Sequence, residues 1–189
     1  MTAEKFKRLL ALCSVGATLV AASLPASAQG SGFYVGAGAG LTTVDLCGDL
    51  IALGATSCDD EDTGFKIFGG KRINQNLAVE LGWVDLGEIT ATGPGGTARA
   101  EVDGIQVAAV GMLPVNPRFH VFGKVGLYLW DAKISGPGGS LSDDGTDLMF
   151  GFGASWNLAE RLDLRGEWER FDVDGDDIDM LSVGLLYRF

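Results

Sequence analysis

The chain of 189 residues carries 14 Lys and Arg against 25 Asp and Glu, a formal net charge of −11. That balance excludes a nucleic-acid binder, which needs basic surface to neutralise phosphates. The 29 glycines show no three-residue period and 47% of the residues are apolar, so collagen and disorder along the whole chain are excluded as well.

The first segment reads as an address. Lys5, Lys7 and Arg8 form a basic start, Leu9 to Leu24 is an uncharged apolar stretch, and Pro25-Ala26-Ser27-Ala28 offers small residues at both positions of an Ala-x-Ala cut. This is the pattern of a secretory signal peptide over residues 1–28, leaving a domain over 29–189. A retained membrane anchor is the other reading, and the small-residue site speaks against it. Removing residues 1–28 deletes three cations and one carboxylate, so the exported chain is more acidic still. Two cysteines remain, Cys47 and Cys58, and an even count in an exported chain suggests a disulfide pinning a loop; two free thiols are the alternative. No histidine stands near them, which disfavours a metal site.

The rest of the chain alternates with a period of two. Phe33, Val35, Ala37, Ala39 and Leu41 share one face, with Tyr34, Gly36, Gly38 and Gly40 opposite. Leu148, Phe150, Phe152, Ala154 and Trp156 alternate with Met149, Gly151, Gly153 and Ser155, and Leu181, Val183, Leu185, Tyr187 and Phe189 repeat the pattern at the end. Strict alternation predicts strands between two different environments. Eight segments follow in order, near 33–44, 64–73, 77–87, 103–113, 119–133, 147–157, 162–171 and 179–189. Short turns are expected at Asn74-Gln75-Asn76, Pro114 to Pro117 and Asn157 to Glu160. Long polar loops are expected over 45–63, 88–102 and 135–146, with a shorter acidic loop over 172–178. Short turns at one end and longer loops at the other is the layout of an eight-stranded antiparallel up-and-down transmembrane β-barrel. A strand of about ten residues, tilted by about 40°, rises roughly 25 Å, the height of the apolar band of such barrels. One face carries Phe, Leu, Val and Trp; the other carries Gly, Ser and charges, which suits an apolar exterior and a polar lumen. In a narrow lumen Phe68, Tyr128 and Trp130 need small neighbours, and Gly36, Gly38, Gly151 and Gly153 can supply the space.

Several stretches resemble a known family. Gly64-Phe65-Lys66-Ile67-Phe68-Gly69-Gly70 followed by Asn76-Leu77-Ala78-Val79-Glu80-Leu81-Gly82-Trp83 is similar to the second and third strands of the outer membrane protein A transmembrane domain. Lys124-Val125-Gly126-Leu127-Tyr128-Leu129-Trp130 resembles its fifth strand and Arg165-Gly166-Glu167-Trp168-Glu169-Arg170-Phe171 its seventh. Leu185, Tyr187 and Phe189 resemble the signal that outer-membrane proteins present to the barrel-assembly machinery. The resemblance implies a bacterial outer-membrane location, in contact with lipid and lipopolysaccharide. Longer members carry a peptidoglycan-binding domain after the barrel, and that anchoring role is not expected of a chain ending at Phe189. Lys71 stands where the family often has tyrosine, on the lipid-facing parity, where a lysine can snorkel to the interface.

Glu80, Lys124, Arg165 and Glu167 fall on the inward parity. A buried charge is costly unless paired, so a lumen salt-bridge network is expected; the resembling family has one. It reads as a plug that holds the barrel closed or as a gate that switches partners, and the narrow lumen favours the plug. Asp172-Val173-Asp174-Gly175-Asp176 begins like a calcium loop but has Asp177 where glycine is required and no glutamate at position twelve. His120 is followed by Val121 and Phe122, not by the His-x-Ser pattern that lipid A deacylases resemble, and no nucleophile is suggested for it. The expected protein is a non-enzymatic outer-membrane barrel with a structural, envelope-integrity role and no cofactor or metal. The rival readings are a surface adhesin binding ligands through its loops and a small pore.

Overall fold

The computed structural model describes residues 32–44, 56–59, 61–93 and 96–189. The segment expected as signal peptide, and Cys47, lie outside the described residues. Among the described residues there are nine strands: β1 (Phe33–Val44), β2 (Ser57–Asp59), β3 (Glu61–Arg72), β4 (Leu77–Gly93), β5 (Gly96–Asn116), β6 (Phe119–Gly136), β7 (Gly139–Ala159), β8 (Leu162–Val173) and β9 (Asp176–Arg188). Eight of them close into an antiparallel barrel in the ring order β4-β3-β1-β9-β8-β7-β6-β5, with β5 returning to β4. The short β2 is not one of the eight; it pairs with the upper part of β4, Cys58 opposite Ala91.

Alternation decides which side chain faces where. Phe65, Ile67, Leu81, Val107, Val125, Phe150, Phe152 and Val183 are exposed on the outer wall, a surface suited to lipid and hostile to water. Their neighbours in sequence, such as Lys66, Glu80, Ala108, Lys124 and Ser182, are buried inside. Large lumen residues occupy the space over glycines. A Cβ on Gly36 would sit 2.4 Å from the Phe68 ring, one on Gly153 2.6 Å from the Phe122 ring, and one on Gly145 2.4 Å from the indole of Trp130.

The short turns at one end of the barrel are tight. The Asn74 side-chain oxygen accepts from the Asn76 and Leu77 amides at 2.8 and 2.9 Å, and that of Asn116 accepts from the Arg118 amide at 2.9 Å. Pro114 and residues 157–159, expected in turns, belong to strands, because pairing continues to Asn116–Phe119 and Ala159–Leu162.

The opposite end of the barrel departs further from expectation. Residues 88–93, 96–102 and 135–146, expected as loops, belong to the extended upper parts of strand pairs β4–β5 and β6–β7. Thr90 pairs with Arg99, Thr92 with Thr97, Lys133 with Ser142 and Ile134 with Leu141. Their Gly, Ser and Thr content reads as loop, but Thr has good strand propensity and paired backbone needs no apolar face once the strand has left the membrane. A bulge between Asp85 and Glu88 marks where β4 leaves the barrel wall. Gly87 adopts φ 86°, and the Asp62 carboxylate accepts from the Glu88 amide at 2.6 Å. The expected acidic loop over 172–178 is a two-residue turn. Asp174 (φ 55°) and Gly175 (φ 91°) join Val173 to Asp176, the arrangement an Asp-Gly pair favours in a hairpin.

Candidate functional site

The lumen is filled in three tiers. The periplasmic tier is an apolar cluster of Tyr34, Phe68, Ala78, Val110, Met112, Phe122 and Leu186. The extracellular tier is a larger cluster built around Tyr128, Trp130, Met149, Phe171 and Met180, with Val44, Val84, Leu86 and Ile178. In it Tyr128 packs 4.8 Å from Phe171 and donates to the Val84 carbonyl at 3.1 Å, while the Trp130 indole donates to Asp147 at 2.7 Å. Between the two lie the buried charges.

The structure brings Glu80, Lys124, Arg165 and Glu167 together and adds Lys66, Glu169 and Tyr34. Arg165 (β8) donates to both carboxylate oxygens of Glu80 (β4), at 2.6 and 3.1 Å, and to Glu167 at 2.9 Å. The Tyr34 hydroxyl donates to Glu80 at 2.7 Å. Lys124 (β6) pairs with Glu167 at 3.1 Å and also with Glu169; Lys66 (β3) pairs with the same two carboxylates. Strands β4 and β8 stand four places apart in either direction round the ring, so the Arg165–Glu80 pair spans the full width of the barrel. The Arg165 guanidinium also lies between two rings, 4.6 Å from the centroid of Phe68 and 4.2 Å from that of Phe122.

Charge balance makes this tolerable. Three cations face three carboxylates, and every one of these side chains is 5% exposed or less. A buried ion costs several kcal/mol unless partners and hydrogen bonds replace its water, and here each ion has at least two such partners or a carboxylate and two rings. Chemically the arrangement holds the opposite walls of the barrel together.

Lys66 and Glu169 escaped the sequence reading although the signal was present: Lys66 shares the inward parity of Phe68, and Glu169 lies two residues beyond Glu167. The other predicted residues are elsewhere. Leu185, Tyr187 and Phe189 lie on the lipid face, the last two with ring centroids 5.3 Å apart. Lys71 is also outside, with its ammonium 5.0 Å from the centroid of the Phe33 ring. Asp177 and Asp179, which the calcium reading would enlist, are paired with Arg170 at 3.0 and 2.7 Å. His120 lies at the periplasmic rim opposite Ser155, and the nearby Asp163 carboxylate is taken by Arg188 at 2.9 Å.

With this geometry in place, the comparisons with known proteins agree on the family. The model of the outer membrane protein beta-barrel domain matches residues 14–189, and the chain belongs to that family. Outer membrane protein A of Yersinia pseudotuberculosis is 29% identical over 194 residues, and that of Salmonella typhi 26% over 193; each alignment covers 95% of this chain and 54% of the relative. The chain thus spans about half the length of the curated relatives it matches. Among solved structures, Neisserial surface protein A superposes with a TM-score of 0.62 (18% identity, 84% of this chain and 98% of that one). The N-terminal barrel of Pseudomonas aeruginosa OprF gives 0.60 (10% identity, 85% and 100%). The Yersinia pestis attachment invasion locus protein Ail gives 0.57 (18% identity, 84% and 99%), and it has also been solved in complex with the heparin analogue sucrose octasulfate. At these identities the likeness is one of fold. The protein is an outer-membrane β-barrel of the outer membrane protein A type.

Proposed function

From that membership we propose that the chain is a structural component of the outer membrane, a closed barrel that supports envelope integrity and catalyses no reaction. The observation that carries this reading is the three-tiered filling of the lumen. An ionic layer of three cations and three carboxylates lies between two apolar clusters, and this filling favours a closed structural barrel over a pore or an enzyme. On this reading residues 1–28 direct export and are removed, Cys47 and Cys58 form a disulfide in the first extracellular loop, and Leu185, Tyr187 and Phe189 are read by the barrel-assembly machinery. The outer wall is in contact with lipid and lipopolysaccharide. The test is a deletion strain assayed for sensitivity to bile salts and large antibiotics. Restored resistance on re-expression of the barrel with hairpins cut back at residues 90–98 and 134–141 supports the structural role; restoration only by the uncut chain refutes it.

A second reading, surface binding, is favoured by one feature. Strands β4 to β7 continue above the membrane as a four-stranded wall, and Ile134 and Leu141, paired across its inner face, are 50% and 76% exposed. Its outer face carries Asp85, Asp103, Asp131 and Asp144 as direct cross-strand neighbours, which disfavours a polyanionic ligand of the kind seen with Ail. Loss of host-cell adhesion with an intact envelope, on trimming the wall, is the result expected of that reading.

A further inference from the structure

The periplasmic end of the barrel carries charge of the opposite sign to the chain as a whole. Lys71, Arg72, Arg118, Arg161 and Arg188 lie at or beside the periplasmic turns and the end of β9, against Glu160 and Asp163. Among them Arg72 and Arg188 hold the last inward positions of β3 and β9, and His120 holds the first of β6. Asp163 holds an inward position of β8, so by strand parity His120, Arg72, Asp163 and Arg188 all face into the same mouth. Ser155, on β7, stands directly opposite His120.

Among the described inward-facing groups donors outnumber acceptors. The one inward carboxylate among them, Asp163, is engaged by Arg188, whose same nitrogen donates to the Glu160 carbonyl at 3.1 Å. The Nε atoms of Arg72 and Arg188 are buried and have no hydrogen-bond partner among the described residues. Native proteins rarely leave buried donors unsatisfied, and guanidinium groups cannot relieve the deficit by losing a proton. The aromatic tier of Tyr34, Phe68 and Phe122 lies next to these groups, on the lumen side of them.

We propose that this ring of inward-facing side chains binds a phosphate-class oxyanion, with Arg72 as the principal donor and Arg188, His120 and Ser155 completing the shell. The planar fork of arginine matches the tetrahedral oxygens of a phosphate, and partial burial weakens the competition from water. The phosphate comes either from a soluble periplasmic anion or from a phospholipid headgroup of the inner leaflet, which Lys71 on the adjoining lipid face is placed to meet.

The test uses the full chain folded in zwitterionic micelles, with the Arg Nε–H and His120 ring signals followed by NMR during titration with inorganic phosphate at ionic strength fixed by chloride. The expected result is saturable shifts at Arg72 and His120, with the His120 midpoint rising because a bound dianion favours the imidazolium. Arg72→Gln should weaken the binding about tenfold or more, since charge-assisted bonds carry it. Arg72→Lys, the safer variant for folding, should weaken it severalfold, and Arg99→Gln, at the extracellular end, should leave it unchanged. Shifts that follow ionic strength alone, or that persist undiminished in Arg72→Gln and Arg72→Lys, would overturn the proposal. Nanodiscs separate the sources: the same shift in phosphatidylglycerol but not phosphatidylcholine discs, with no added phosphate, identifies the headgroup. Binding of free phosphate with no difference between discs identifies the soluble anion.

Discussion

Replacing Arg165 with methionine isolates the largest single interaction in the lumen. Methionine keeps an unbranched apolar stem but ends short of the guanidinium, so it gives up the stacking on the Phe68 and Phe122 rings along with three hydrogen bonds, two to Glu80 and one to Glu167. The two carboxylates then fare differently. Glu167 retains Lys66 and Lys124, whereas Glu80 keeps only the Tyr34 hydroxyl. One buried negative charge is left without a cation, and breaking a buried pair in this way costs about 3–5 kcal/mol. Glu80→Gln leaves Arg165 on Glu167 and should cost less, about 2 kcal/mol, because the amide still accepts from Tyr34 and Arg165. In the double variant two cations face two carboxylates and balance returns. Its loss should therefore fall short of the sum of the single losses by about 2 kcal/mol, well beyond the few tenths within which independent sites add. Urea unfolding and refolding in detergent or lipid vesicles, followed by tryptophan fluorescence and the heat-dependent gel shift, measures all three variants. Losses that add to within about 0.5 kcal/mol would refute the coupled, dry layer inferred here.

Three further outcomes follow from packing and placement. Gly36→Ala puts a Cβ 2.4 Å from the Phe68 ring and 2.9 Å from the Leu185 carbonyl, and should destabilise by about 1–3 kcal/mol in the same unfolding assay. Val125→Arg places a charge on the lipid face beside Phe150 and should cost about 2–4 kcal/mol near the bilayer midplane; a neutral result would place that face away from lipid. Gly175→Ala, at φ 91°, should lower stability by about 1 kcal/mol with the barrel still heat-modifiable, whereas Asp174→Asn should be silent because asparagine tolerates φ 55°.

The period of two made the barrel legible, because membrane and lumen impose opposite demands on adjacent residues and each outward Phe, Leu or Val reports its face. The same parity pointed to Glu80, Lys124, Arg165 and Glu167. Lys66 and Glu169 share that parity but were not singled out, because parity fixes the face of a residue and not its height in the barrel. Barrel strands are tilted and staggered, so residues at different counts on different strands meet at one level. The wall above the membrane was missed for another reason. Beyond the lipid no apolar outward row is required, so strands such as Thr90–Gly93 and Ser140–Asp143 have the composition of loops, and only their pairing reveals them. The Asp-Val-Asp-Gly-Asp stretch was ambiguous in sequence because aspartate and glycine serve tight turns as readily as they serve calcium.

The order of the tiers bears on whether the ionic layer can act as a gate. A switch of partners needs Arg165 to leave both rings and two carboxylates, and Glu80 would then have to find a new cation while Lys66 and Lys124 are committed to Glu167 and Glu169. Even a completed switch would leave the cluster of Tyr128, Trp130, Met149, Phe171 and Met180 across the path on the extracellular side. That cluster is held independently of the charges, by the Tyr128 bond to the Val84 carbonyl, by the Trp130 bond to Asp147, and by the fit of the Trp130 indole over Gly145. Conduction would require the ionic layer to rearrange and the apolar cap to unpack together. Glu80→Gln acts on the first alone, and is therefore expected to lower stability without raising conductance in planar bilayers above that of the unmodified chain.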